Sequence, residues 1–270
     1  MKTASTGHLS SKMNDSATPD LTQEVARLTE LNDLKTKFIH AAIHQMRTPV
    51  SVVRWTVEMM LGANANVQTD DPTIKNLQAI YKANDTIRLR IDDLLSALNI
   101  EENKVTLEKT DTTIEPLIET VIKNLGDEAS QKHITLTLSK PDQPLPPLTI
   151  DVEKIKSALH KLILNAIDYS DSDGKVVVKL DQNNGKIRVE INDNGIGIPD
   201  GEHDIIFERF GRASNAASMQ PSGYGLGLYI AAHFIKAHGG TIGLESQANG
   251  STFWFELPIT HQQITYEKTS

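Results

Sequence analysis

The stretch KVVVKLDQNNGKIRVEINDNGIGIPD, residues 175–200, joins two runs of alternating apolar and polar residues to a glycine-rich segment. The alternation predicts two half-buried strands, and Asn184-Gly185 between them predicts a tight hairpin turn. After the second strand, Asp193 is followed by Gly195 and Gly197, which allow a ligand to approach the backbone closely. The stretch therefore predicts a β-hairpin that ends in an acidic, glycine-lined ligand site.

The sequence around this hairpin mixes further strands and helices. Period-two alternation predicts strands in KVTLEKT (104–110) and HITLTLS (133–139), with a helix over about 113–129 between them. A proline-rich connection at 140–148, helices at about 151–169 and 226–238, and a second hairpin turning at Asn249-Gly250 complete the pattern. Hairpins mixed with helices predict an α+β sandwich with helices on one face, and not a doubly wound dinucleotide fold.

The N-terminal half has a helical pattern instead. Apolar residues at three- and four-residue steps predict a helix from Leu21 to Phe38, and a stricter alternation of the same steps continues beyond it. Gly62 and the following polar residues end that helix, and Asp71-Pro72 supplies the start of a second one. We call the apolar positions of the two helices the seam. They are Ile39, Ile43, Met46, Val50, Val53, Val57 and Met60, then Leu77, Ile80, Ile87, Ile91, Leu94 and Leu98, with Asn84 interrupting the second series.

A two-helix hairpin with one apolar stripe on each helix leaves much of both stripes uncovered. The favoured interpretation is a homodimer in which two hairpins form a four-helix bundle. The alternative is an antiparallel coiled coil within one chain, docked on the second domain.

Composition excludes several classes of protein. A formal net charge of -8 argues against nucleic-acid binding, which needs a basic surface, and the absence of cysteine excludes disulfides and thiol chemistry. No apolar window reaches the roughly 18 residues that span a bilayer, so no membrane contact is expected within this chain. We expect a cytoplasmic protein, or the cytoplasmic part of a longer membrane-anchored one, whose partner is a nucleotide with its metal or another protein.

Two further motifs extend the candidate ligand site. SGYGLGLYI (222–230) places Gly223, Gly225 and Gly227 just before a helix, whose N-terminal N–H groups favour a phosphate. In ALHKLILNAIDYS (158–170), Asn165 and Tyr169 share one face of a helix, and an asparagine amid apolar residues needs polar partners. Neither motif is specific alone, but their order along the chain favours a shared ligand.

From about Phe38 to Pro258 the chain resembles the catalytic core of a two-component sensor histidine kinase. This core is a dimerisation and phosphoacceptor hairpin followed by a Bergerat-type (GHKL) ATP-binding domain. The resemblance rests on five boxes in the family's order: FIHAAIHQMRTPV, LHKLILNAIDYS, DNGIGI, IFERFGRAS and GYGLGL, which resemble the H-, N-, G1-, F- and G2-boxes.

The resemblance implies roles for individual residues. His44 is the phosphorylated nucleophile, Asn165 the Mg²⁺ ligand, Asp193 the acceptor for the adenine amine, and Tyr169 the aromatic near the nucleotide. Arg212 corresponds to an arginine that can reach the γ-phosphate, in a mobile lid over about 211–224. The glycine-rich boxes are implied to shape the adenine pocket (Gly195 and Gly197) and to hold the phosphates (Gly223, Gly225, Leu226 and Gly227).

The phosphoacceptor helix has two features that packing alone does not require. Pro49 lacks an N–H for the carbonyl of Gln45, which predicts a bend close to His44. Gln45 stands where the family has Glu or Asp, and its amide can orient the histidine ring but is no general base. We therefore expect slower autophosphorylation than in an acidic homologue. Alternatively, Gln45 and Thr48 could position a water for phosphatase action.

The N-box departs from the family pattern at two positions. Lys161 replaces the first asparagine, and Asp168 stands where Lys or Arg usually contacts phosphates. Lys161 could replace the lost cation, or Asp168 could weaken ATP binding or recruit the metal, and the sequence leaves both open.

The sequence therefore predicts a disordered segment (1–20), a signal helix (21–37), a dimerisation and phosphoacceptor domain (38–103), an ATP-binding domain (104–260) and a polar tail (261–270). The predicted function is ATP-dependent phosphorylation of His44 and transfer to a response regulator. The alternatives are a dimeric signalling module with a weakened kinase site and a GHKL ATPase without phosphohistidine chemistry.

Overall fold

The computed structural model describes residues 17–63, 71–220, 223–247 and 249–259. They divide into two compact units, one up to Ile91 and one from Asp92 onward. The predicted disordered segment and polar tail lie mostly outside the described residues, although residues 17–20 already form the first turn of a helix. Within the described ranges, no helix is both long and apolar enough to cross a membrane.

The first unit is built from two helices that form the predicted hairpin. Helix α1 spans Ala17–Ala63 with Pro49 inside it, so the predicted signal helix and phosphoacceptor helix are continuous. Helix α2 spans Pro72–Glu101, and its first turn is capped by Asp71, whose Oδ1 accepts the N–H of Thr73 at 2.7 Å. Arg54 of α1 donates hydrogen bonds to Asp85 (2.9 Å) and Tyr81 (2.8 Å) of α2, and these bonds link the two helices.

Seam positions of the hairpin alternate between buried and exposed. Ile43, Val57, Asn84, Ile91 and Leu98 are buried, Ile39, Val50 and Leu77 are partly buried, and the remaining seam residues are 41–50% exposed. The exposed seam residues are Met46, Val53 and Met60 on α1 and Ile80, Ile87 and Leu94 on α2. From Ile43 onward, one chain therefore leaves every second seam residue of each helix exposed.

The second unit contains the last turns of α2 and an α+β sandwich. Its strands are β1 (Thr110–Thr112), β2 (Thr135–Ser139), β3 (Leu148–Ile150), β4 (Lys175–Asn183), β5 (Lys186–Asp193), β6 (Thr241–Gln247) and β7 (Gly250–Pro258). The main sheet has the order β2-β4-β5-β7-β6, in which only β2 and β4 pair in parallel, and β1 pairs with β3 in a separate small sheet. The predicted turn at Asn184-Gly185 is confirmed, since both residues have positive φ (49° and 73°).

Helices cover one face of the main sheet. They are α3 (Glu115–Asn124), α4 (Gly126–Gln131), α5 (Val152–Asp168), a 3₁₀ turn (Ile205–Phe207), α6 (Ala216–Met219) and α7 (Gly227–Ala237). Alternate residues of β4, β5 and β7 are buried beneath them, together with the apolar side of α5. The predicted α+β sandwich is therefore confirmed.

Two local predictions were wrong. Residues 104–109 do not form a strand, and extended pairing begins only at Thr110. The N–H of Glu108 donates to the side chain of Asp151 (2.9 Å) and so is not available to a sheet ladder. The single helix predicted over 113–129 is two helices, which meet at Leu125 and Gly126.

Candidate functional site

Asp193 ends β5 as a buried carboxylate with defined partners. Its side chain is 7% exposed, and its Oδ1 accepts the N–H groups of Gly195 (2.9 Å) and Ser251 (3.2 Å). Burial raises the pKa of the Asp193 carboxyl, while these two hydrogen bonds act in the opposite direction. Since both bonds go to Oδ1, the second oxygen can accept a hydrogen bond from a ligand.

The first glycine turn packs directly on the end of α5. A Cβ at Gly195 would lie 2.1 Å from the carbonyl oxygen of Tyr169, so only glycine fits there. That same carbonyl accepts the N–H of Ile196 at 3.1 Å. Gly197 has a φ of 61°, which glycine adopts without strain. The structure thus brings Asp193, the glycine turn and Tyr169 together.

The second glycine motif forms the N-terminal end of α7. Gly225 has a φ of 67°, and its carbonyl accepts the N–H of Phe210 at 3.0 Å. A Cβ at Gly225 would lie 2.6 Å from the carbonyl oxygen of Gly211, which requires glycine at this close approach. Gly227 is the first residue of α7, so free N–H groups and the positive end of the helix dipole meet at this loop. This arrangement suits an anionic group.

Arg212 is engaged with the backbone of the predicted lid. Its guanidinium donates to the carbonyls of Ala216 (3.2 Å) and Gln220 (2.6 Å), and a Cβ at Gly223 would lie 3.6 Å from it. Within the part of the chain that is described, the buried Nε of Arg212 has no hydrogen-bond partner. The structure therefore places Arg212 beside Gly223, held by carbonyls that a phosphate could replace.

The N-box helix carries two ion pairs that involve the unusual residues. Lys132 donates to the carboxylate of Asp168 (2.8 Å) and also to the carbonyls of Ile167 and Asp168 (3.3 and 3.2 Å). Lys161 forms an ion pair with Asp93, in the part of α2 that belongs to the second unit. Asn165 is half-buried one turn before Tyr169 on the same helix.

Leu226 has a packing role in addition to its place in the glycine-rich box. Its side chain is 5% exposed and lies in an apolar cluster with Ala97 and Ile100 of α2 and Ile230 and Phe234 of α7. The cluster joins the end of α2 to the helix that starts at the second glycine loop. The side chain therefore faces protein, which leaves its backbone for any contact with a ligand.

The phosphoacceptor candidates lie on α1, in the first unit. Ile43 is buried with 2% exposure, whereas the neighbouring His44, Gln45 and Thr48 are exposed. The imidazole of His44 is thus open to solvent beside a packed seam position.

Sequence reasoning missed the partners of several site residues. Asp93, Lys132 and Ser251 come from a helix end, a loop and a neighbouring strand, and none of them belongs to a glycine- or asparagine-rich motif. The sequence pattern contains no signal for such non-local contacts.

Comparison with known proteins identifies the domain that holds this site. Residues 150–261 match the family of histidine kinase-, DNA gyrase B- and HSP90-like ATPases. The adaptive-response sensory kinase SasA of Gloeothece citriformis is 32% identical over 88% of this chain, and the hybrid signal transduction protein dokA of Dictyostelium discoideum is 30% identical over 88%. The chain spans only 61% and 14% of the lengths of these two relatives.

Solved structures share the fold. Full-length ShkA in complex with AMPPNP matches 82% of this chain and 45% of its own with a TM-score of 0.64 and 23% identity. ThkA in complex with the response regulator protein TrrA matches 87% of this chain and 64% of its own with a TM-score of 0.53 and 24% identity. Residues 150–261 therefore form a domain of the histidine kinase-, DNA gyrase B- and HSP90-like ATPase family, and the chain as a whole is similar in sequence to sensory kinases and shares the fold of histidine kinase structures.

Proposed function

We propose that the second unit binds ATP between the two glycine motifs. The observation that carries this proposal is the arrangement at Asp193, a buried carboxylate held through one oxygen, beside a turn that accepts only glycine. A carboxylate accepts the exocyclic amine of adenine, and the N-terminal end of α7 suits the phosphates. Adenine would then lie near Tyr169, with the polyphosphate toward Gly223, Gly225 and Gly227.

Asn165 fits the role of Mg²⁺ ligand. The described residues contain no cluster of three or more His, Asp or Glu side chains that could hold a metal. Mg²⁺ in nucleotide sites takes one or two protein oxygens and completes its shell with phosphates and waters, so a single amide oxygen is sufficient. When bound, Mg²⁺ neutralises charge on the transferring phosphoryl group.

The chemical step is phosphorylation of His44. A neutral ring nitrogen attacks the γ-phosphorus, the bond to the bridging oxygen breaks, and ADP leaves with the electron pair. Exposure of His44 supports this role, because a nucleophile that meets a nucleotide on another unit must be accessible. The phosphoryl group then passes to an aspartate of a response regulator, a partner supported by the likeness to ThkA, whose structure contains one.

Gln45 and Thr48 set the balance of activities at this histidine. Both are exposed one turn apart on α1, where an amide and a hydroxyl can orient a water against a phospho-aspartate. We infer slow autophosphorylation together with phosphatase activity. Gln45→Glu should raise autophosphorylation at neutral pH, and Thr48→Ala should slow dephosphorylation of the partner.

The hairpin is proposed to form a homodimer. Alternate seam residues that are 41–50% exposed in one chain are the positions that a second hairpin would cover in a four-helix bundle. The proposed location is the cytoplasm, either free or as part of a membrane-anchored protein.

A signalling module with a weakened kinase site is the second candidate. Two observations favour it: Lys161 is paired with Asp93, and Arg212 donates to carbonyls of the predicted lid, so both cations already have partners.

One experiment separates these functions. The protein is incubated with γ-labelled ATP and Mg²⁺, and acid-labile label is compared between wild type and His44→Ala. Label that disappears in His44→Ala supports the kinase. ATP binding without label supports the module, and phosphate release that does not depend on His44 supports an ATPase.

A further inference from the structure

Lys161 lies against the first turn of α7. Its side chain is 12% exposed, and its Cβ is 3.9 Å from the position that a Cβ on Gly227 would occupy. Gly227 is the first residue of the 11-residue α7, where N–H groups and the helix dipole create positive potential. The base of the Lys161 side chain therefore lies next to the end of α7 that is proposed to hold phosphates.

An ammonium that is mostly buried requires a counterion. Asp93 supplies it, since the two side chains form an ion pair and the Asp93 side chain is 30% exposed. Both residues belong to the second unit, so this contact lies within one compact body.

The helix that carries Asp93 has further contacts with the domain. Ala97 and Ile100, which follow it on α2, pack against Leu226, Ile230 and Phe234. Glu101 at the end of the same helix forms a separate ion pair with Arg209. These contacts attach the end of α2 to the domain in addition to the ion pair of Asp93 with Lys161.

We propose that Lys161 is a phosphate-binding residue, and that Asp93 and the nucleotide polyphosphate compete for its ammonium group. This inference rests on the proposed function, because it needs ATP in the site between the glycine motifs. A flexible ammonium can turn from a carboxylate to a phosphate by rotation of its own side chain. Asp93 thereby lowers the affinity for ATP. Because coupling is reciprocal, bound ATP weakens the ion pair that helps to attach the last turns of α2 to the domain.

Three variants test the competition by titration with MgATP. Asp93→Asn keeps the shape and removes the competing charge, so affinity should rise about tenfold. Lys161→Met should lower the affinity for MgATP about tenfold, and Lys161→Gln serves as the test variant if the methionine variant does not fold. In the double variant Asp93→Asn with Lys161→Met, the Asp93 substitution should no longer alter affinity.

Glu101→Gln is the matched control. It removes a carboxylate, and with it an ion pair, from the same helix end but away from Lys161, so affinity for MgATP should change by less than about twofold. Hydrogen exchange gives a second readout: MgATP should speed exchange in residues 92–101 of the wild type and not of Lys161→Met.

The outcomes separate this inference from the proposed function. If the wild type binds MgATP and Asp93→Asn binds it equally well, or if the Asp93 effect persists without Lys161, the competition is refuted while ATP binding stands. If the wild type binds no MgATP, the proposed function fails and this inference fails with it.

Discussion

The hairpin and the ATPase domain differ in how completely each buries its apolar residues. In the domain, Leu159, Leu162 and Ile163 of α5 are fully buried beneath the sheet. In the hairpin, Val53 and Ile87 occupy seam positions with the same regularity and yet are 42% and 48% exposed. Regular apolar spacing therefore identifies the face that packs, but not whether the packing partner belongs to the same chain.

The largest expected effect lies in the core of the domain. Ile163→Ala should destabilise the second unit by about 2–5 kcal/mol, because it removes buried methyl groups and leaves a cavity beneath the sheet. Guanidinium unfolding followed at two protein concentrations should show the same loss at both.

Val53→Ala is the control on the hairpin. It removes apolar atoms from a half-exposed site, so its cost should be well below that of Ile163→Ala in dilute protein and should grow as protein concentration rises. Equal, concentration-independent losses for the two variants would show that the hairpin is complete within one chain.

A charge on the exposed seam should weaken the dimer without unfolding the domain. Ile87→Lys places an ammonium where a partner hairpin is proposed to pack, and the dimer dissociation constant should rise at least about tenfold. Sedimentation equilibrium measures this change directly.

Leu89→Lys provides the comparison for Ile87→Lys. Leu89 is 40% exposed on the same helix but two residues off the seam, so the same charge there should leave the association state unchanged. If both lysine variants weaken the dimer equally, the seam is not the interface.

Local signals explain which parts of the fold could be predicted. Asn184-Gly185 specifies its turn through positive φ at both residues, and Asp151 caps α5 by accepting the N–H of Lys154 at 3.1 Å. The seam spacing also predicts a helix through Pro49, and α1 retains this proline because the rest of a long helix can tolerate one residue that disfavours its interior.

The candidate site could be predicted only in part for the same reason. Asp193, Gly195 and Tyr169 lie in motifs, and the structure brings them together. The pairing of Lys161 with Asp93 joins residues 68 positions apart, and the pairing of Asp168 with Lys132 joins residues 36 apart. Neither distance corresponds to a helical or strand period, so neither pair leaves a signal in the sequence.

Helix caps repeat the contrast between the units on a smaller scale. Asp71 caps α2 at an exposed surface turn, so Asp71→Ala should lower stability only slightly. Asp151→Ala should cost more, because Asp151 is 4% exposed and also accepts from Glu108 (2.9 Å) and the ammonium of Lys154 (2.7 Å). Thermal unfolding of both variants checks the order, and the reverse order would contradict it.

The smallest expected effect is a pH dependence confined to the ATPase domain. His238 is buried, its Nδ1 bonds the carbonyl of Phe234 (2.7 Å), and its Nε2 accepts the N–H of Asp151 (2.9 Å). Nε2 can accept only in the neutral ring. Burial lowers the pKa of the His238 imidazole below its ordinary value of 6.5. Below pH 6.5 the unfolded chain binds a proton at His238 more readily than the folded domain does. The free energy of unfolding is therefore highest above pH 6.5 and falls as the pH drops below it.

One proton changes stability by at most about 1.4 kcal/mol per pH unit, which sets the scale of this loss. Unfolding of the wild type between pH 7 and pH 5 should show the decline in the domain transition. His238→Gln keeps a side chain that can accept from Asp151 and does not titrate, so its decline over this range should be shallower. The same slope in both proteins would assign the acid sensitivity to other groups. The seam of the hairpin contains no titratable residue, so dimer dissociation should not depend on pH over this range. A pH dependence of dimer dissociation would assign the acid sensitivity to the hairpin.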